Sequence, residues 1–122
     1  MPEVQVVIPV LPTSDLARTH KFYCEVLGFV EPWGFGDPPQ YGGVRADLEQ
    51  MPAIHFTVDA DPGRGEVFVI VHEVDEYFNR VRNAGAEVIF EIGDRPYGMR
   101  DFMVADPDGN RLSFGLPTGM PA

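Results

Sequence analysis

The sequence predicts an α+β fold of two consecutive βαβββ modules, covering about residues 1–60 and 61–122. Three observations carry this expectation. Two segments have apolar residues at helical spacing, and each is closed by a glycine, Gly28 and Gly85. Each is preceded by one short apolar, β-branched run and followed by three more runs. Between the halves lies DADPGRG (residues 59–65), which has the composition of a linker.

The elements follow in order. Residues 4–10 (VQVVIPV) are β-branched and read as the first strand, and LPTSD (11–15) supplies turn residues and a helix N-cap at Asp15. From Asp15 to Leu27 the apolar positions are Leu16, Phe22 or Tyr23, and Val26 with Leu27, which predicts a helix. A strand resumes over residues 29–33. The next stretch, GFGDPPQYGG (34–43), has loop composition, and its aromatic rings make it a candidate ligand flap. Strands are expected at 44–48 and 53–58. In the second half a strand at 66–71 precedes a helix near 74–84, where Val74, Tyr77 with Phe78, and Val81 share a face. Strands at 87–92, 100–106 and 111–115 complete the repeat. Pro107-Asp108-Gly109 forms the last hairpin turn, with proline presetting φ and glycine accepting a positive one.

Composition narrows the function. Hydrophobic residues make up 44% and charged residues 23%, as in ordinary globular domains. No apolar run is long enough for a membrane span, and the amino terminus lacks the basic region of a secretory signal, so the expected location is the cytoplasm. Nine Lys plus Arg against nineteen Asp plus Glu leave a net charge of −10, which repels nucleic-acid backbones and favours cationic small molecules. The single cysteine, Cys24, excludes an intrachain disulfide and reads as a small buried side chain in a helix.

No nucleophile elbow, phosphate loop or dinucleotide fingerprint is present. The three histidines, His20, His55 and His72, stand in no zinc-protease pattern, since Glu76 occupies the place of a second histidine after His72. Asp106, Asp108 and Asn110 resemble the start of a calcium loop. Its glycine is fourth instead of sixth, however, and Pro117 stands where the twelfth-position glutamate belongs.

DLARTHKFYCEVLGF after the first strand and PYGMRDFMVADPDGNRLSFG at the end resemble the hallmark segments of the glyoxalase/bleomycin-resistance/dioxygenase (vicinal-oxygen-chelate) superfamily, and the likeness spans nearly the whole chain. It implies two curved sheets whose concave surface holds a ligand, in a homodimer that commonly exchanges its first strand. Pro9 and Pro12 suit such an exchange. It also implies up to four metal-ligand positions, which fall here at Ile8, His55, Glu66 and Ser113. Ile8 and Ser113 are not metal ligands, so the expectation is a protein without metal or other cofactor. Within the superfamily, PYGMRDF and the opening IPVLPTSD are closest to the bleomycin-resistance branch.

The resulting expectation is a binding protein for a small cationic aromatic ligand of the bleomycin type, held without turnover. Trp33, Phe35, Tyr41 and Phe68 would form stacking walls. His55 and Glu66 would serve as polar groups in the cavity, and Tyr97, Arg100 and Phe102 would close the cleft floor. Arg100 equally suits a structural pairing with Asp101 or Glu91. The alternative is a metal-dependent lyase, isomerase or dioxygenase using His55 and Glu66.

Overall fold

The computed structural model describes residues 3–49 and 52–119. Two compact units divide between Arg64 and Gly65, and each holds one four-stranded sheet.

In the first unit, β1 (Val10–Thr13) leads into α1 (Leu16–Lys21), which continues as a π-helical turn over Phe22–Val26. Asp15 caps the helix, its Oδ1 accepting the Arg18 backbone N–H at 3.0 Å. Gly28, at φ 85°, ends the helical stretch. Then follow β2 (Val30–Phe35), β3 (Tyr41–Arg45) and β4 (Ala53–Val58), giving the sheet order β1-β4-β3-β2 with β1 parallel to β4. Alternation decides the two faces. Leu11, Val44, Ile54 and Phe56 turn toward the helix and pack with Leu16, Tyr23 and Leu27, and the Tyr23 and Phe56 rings meet edge to face at 4.7 Å. Thr13 and Thr19, both fully buried, satisfy each other through a 2.6 Å hydroxyl contact.

The second unit repeats this topology with β5 (Glu66–Ile70), α2 (Val74–Asn83), β6 (Glu87–Asp94), β7 (Met99–Ala105) and β8 (Arg111–Pro117), ordered β5-β8-β7-β6 with β5 parallel to β8. Val74, Phe78 and Val81 of α2 cover Phe102, Val104, Leu112, Phe114 and Leu116. Phe102 stacks on Phe114 at 5.5 Å and meets Phe78 at 5.0 Å. The last hairpin is locked by Asp106. Its Oδ1 accepts the backbone N–H groups of Asp108 and Asn110, and its Oδ2 accepts the Asn110 side-chain amide, each at 2.9 Å. Asn110 Oδ1 in turn accepts the Gly65 N–H at 2.7 Å, tying the entrance of β5 to this turn. Asp106 and Asn110, two of the three residues that mimic a calcium loop, are therefore the turn's own hydrogen-bond acceptors.

Three expectations shift. The first strand lies at Val10–Thr13 instead of residues 4–10, because Leu11 and Thr13 are the residues that the sheet buries, while Val4 and Val7 stay exposed. The expected flap at 34–43 shrinks to a short turn, with Phe35 paired to Tyr41 across a β-hairpin. The fourth element correspondingly begins at Tyr41 instead of residue 44. Cys24 sits half-buried in the π-helical turn, with burial and neighbouring Glu25 pushing its thiol pKa up.

Phe102, fully buried and in ring contact with Tyr77, Phe78 and Phe114, makes the clearest test of this packing. Phe102→Ala is expected to lower the unfolding free energy by about 3–5 kcal/mol in urea denaturation, the range for an aromatic deleted from a close-packed core.

Candidate functional site

Each helix covers one face of its sheet, and the other face carries the candidate site. In the first unit, Val10, His55, Gly43 and Trp33 form one row across the four strands, with Gly43 directly between His55 and Trp33. Tyr41 and Phe35 make up part of the next row on the same face. A Cβ at Gly43 would lie 2.9 Å from both Trp33 Nε1 and His55 Cδ2, so the absence of a side chain is what lets the two rings lean together over this position. Their planes are nearly perpendicular, 88° at 5.2 Å. Tyr41 stands diagonally from His55, and its hydroxyl reaches His55 Nδ1 at 2.9 Å. Trp33 is 39% exposed and Phe35 68%.

In the second unit the corresponding row is Phe68, Ser113, Met103 and Phe90, all at the parity opposite to the core. Beside it, Asp101 is only 5% exposed although it faces away from α2. Its burial is compensated. Arg95 Nε donates to Asp101 Oδ1 at 2.7 Å, and the Tyr97 hydroxyl donates to Oδ2 at 2.6 Å. Arg95 Nη2 also donates to the carbonyls of Asp101 and Glu91. These three residues, with Phe90, Met103 and Ser113, line a concavity of about 260 Å³. The carboxylate beside Tyr97 raises the phenol's pKa above its ordinary value.

The predicted site residues separate accordingly. Trp33, Phe35, Tyr41 and His55 come together on one face of the first sheet, and Phe68 and Tyr97 lie on the helix-free side of the second. Glu66 is exposed on edge strand β5, in register with Arg111. Two residues are corrected. Phe102 belongs to the core under α2 and lines no cleft. Arg100 shares its parity, points to the helix side and donates to Asp75 of α2 at 2.6 Å and to Asp94 at 3.1 Å, so neither Asp101 nor Glu91 is its partner. Alternation along β7 explains both: Arg100, Phe102 and Val104 face one way, Asp101 and Met103 the other. Arg95, Asp101, Met103 and Phe90 were missed, and period-two alternation from Phe102 is the signal that finds Asp101 and Met103.

Of the other histidines, His20 has an Nε2 with no hydrogen-bond partner among the described residues. Burial lowers its pKa, and nearby backbone of Trp33 and Gly43 offsets part of that. The positions implied for a metal do not make up a donor set. Ile8 has no donor atom to offer, and His55 Nδ1 is engaged by Tyr41. Among the described residues no three His, Cys, Asp or Glu side chains cluster as metal ligands would.

The sequence model of the Glyoxalase/Bleomycin resistance protein/Dioxygenase superfamily matches residues 5–114, and the chain belongs to that superfamily. It is 25% identical to the bleomycin resistance protein of Geobacillus stearothermophilus, over 88% of this chain and 92% of that one. Among solved structures it resembles a glyoxalase-related enzyme from Clostridium phytofermentans, with TM-score 0.81, 25% identity and coverage of 93% and 95%. It also resembles the bleomycin-binding protein of bleomycin-producing Streptomyces verticillus, solved with copper(II)-bleomycin, with TM-score 0.72, 23% identity and coverage of 93% and 97%.

Tyr97 reports on the Arg95–Asp101 pair. In Asp101→Asn the phenol is expected to titrate at lower pH than in the parent protein, since the charge favouring its protonated form is gone. In Arg95→Gln it should titrate higher, because a cation favouring phenolate is lost. Resolved tyrosine ring resonances followed from pH 8 to 12 would show both shifts. Opposite signs are required of the two variants.

Proposed function

We propose that this member of the superfamily binds a small, planar aromatic antibiotic of the bleomycin type and sequesters it without chemical turnover. The observation carrying this reading is the face where Trp33, Phe35, Tyr41 and His55 gather, opposite the face of the first sheet that α1 covers. Rings this exposed lose apolar surface to water when a flat ligand covers them, and they stack in the offset or edge-on geometries that aromatic quadrupoles favour. Phe68, Phe90 and Tyr97 offer similar surface on the second sheet. Relatives named for bleomycin resistance and bleomycin binding support the same ligand class.

The cationic part of the reading rests on the net charge of −10, which raises the local concentration of positively charged ligands at long range. Asp101 does not supply it locally, being already neutralised by Arg95. The working form is proposed to be a cytoplasmic homodimer. No helix among the described residues is long and apolar enough to cross a membrane. Val4 and Val7, exposed and outside any strand, lie just before edge strand β1, where a second copy would add its own chain.

Calorimetry with metal-free and copper(II)-loaded bleomycin tests the ligand, and sedimentation tests for twice the chain mass. Saturable binding is expected, weakened roughly tenfold in Trp33→Ala, about 1.4 kcal/mol. No heat at about 100 μM ligand, a free energy weaker than roughly −5.5 kcal/mol, removes bleomycin as the ligand.

A further inference from the structure

We infer that Tyr41 sets His55 in the Nε2–H form, so that His55 and Trp33 present two N–H donors over Gly43 to a hydrogen-bond acceptor, a ring carbonyl or pyridine-type nitrogen, on a planar ligand. The inference deepens the proposed function and rests on its reading of this face as a ligand surface. Tyr41 Oη and His55 Nδ1 are 2.9 Å apart, and only one of them can donate. A phenol is a good donor and a very weak base, whereas the bare nitrogen of a neutral imidazole is a much stronger base, so the proton lies on the tyrosine oxygen and Nδ1 accepts. The neutral ring then carries its single proton on Nε2.

That nitrogen is bonded to Cδ2, the atom lying 2.9 Å from the Cβ position that Gly43 leaves vacant. Trp33 Nε1, which can only donate, lies at the same distance from the same point. Neither Trp33 Nε1 nor His55 Nε2 has a hydrogen-bond partner among the described residues, so the polar edges of both rings remain unspent where an aromatic ligand would lie. An acceptor on the ligand satisfies them, and a pure hydrocarbon leaves them unpaired and desolvated, which is unfavourable. The same tautomer removes the Nε2 lone pair that a metal would require. Gly43 limits the subsite sterically, since any side chain there would occupy the position between the two rings.

The test begins without ligand. Long-range 1H–15N correlation of the His55 ring is expected to show Nε2 protonated and Nδ1 of pyridine type, with that preference lost in Tyr41→Phe. Coumarin, a flat bicycle with one ring carbonyl, is then compared with naphthalene, its hydrocarbon counterpart. Coumarin should bind more tightly by on the order of fivefold and shift the Trp33 indole N–H saturably. His55→Phe, which keeps a ring but removes one of the two donors, should shrink that advantage. An Nδ1–H tautomer in the free protein, equal affinity for the two probes, or no coumarin binding overturns the proposal. Failure of bleomycin to bind, with the tautomer and coumarin preference intact, would count against the antibiotic and not against the subsite.

Discussion

One helix can cover only one face of a four-stranded sheet. The ten residues of α2 run about 15 Å at ~1.5 Å per residue, and four strands ~4.8 Å apart span about 14 Å, so nothing remains of the helix for the other side. Everything distinctive about this chain follows from that mismatch between one cover and two faces. The covered faces are conventional cores, with Phe56, Val44 and Tyr23 in one unit and Phe102, Phe114 and Val81 in the other fully buried. The uncovered faces must remain ordered with water on them, and they still carry large apolar side chains such as Phe35, Phe68 and Phe90. Apolar rings left exposed on a sheet face are a feature of binding surfaces.

The two units share element order and sheet topology yet organise their bare faces differently. In the first, a glycine in mid-strand lets neighbouring rings close over the backbone, and a tyrosine hydroxyl holds the histidine ring in place. In the second, a nearly buried carboxylate is gripped by a guanidinium and a phenol that reach it from the turn between β6 and β7. The second arrangement is more demanding. A buried charge is tolerable only while its partners stay in position, so Arg95 and Tyr97 order their turn as much as they neutralise Asp101.

Most of the fold was legible in the sequence because its signals are local: caps at Asp15, glycines after both helices, the Pro107-Asp108-Gly109 turn, and apolar runs that became β4 and β8. The misreadings have physical causes. Residues 4–10 are β-branched, but a strand exists where a partner strand and a buried face exist, and those belong to Leu11 and Thr13. Gly42 and Gly43 read as loop punctuation, yet they are strand residues made necessary by close approach. A Cβ on Gly42 would collide with the Trp33 carbonyl and the Leu16 side chain. The inclusion of Arg100 and Phe102 in a cleft ignored the alternation of β7, whose inward parity is set by Leu112, Phe114 and Leu116 on the neighbouring strand. Ion pairs such as Arg95 with Asp101, or Arg100 with Asp75 and Asp94, join residues that many partners would fit, and only the folded geometry selects among them.

Charge and recognition act at different ranges in this molecule. Nineteen acidic residues produce a strongly negative field, but that field is screened over about 8 Å at physiological ionic strength, and it concentrates cations without orienting them. The carboxylates best placed to orient a ligand are already in use or have a cation at hand. Asp101 is held by Arg95, and Glu66 has Arg111 opposite it in the ladder. Among the described residues, the bare faces still offer exposed ring surface and the indole N–H of Trp33. On the reading proposed above, a ligand would be drawn in by its charge, ordered by the planes of the rings, and distinguished from other flat molecules by whether it places an acceptor over Gly43.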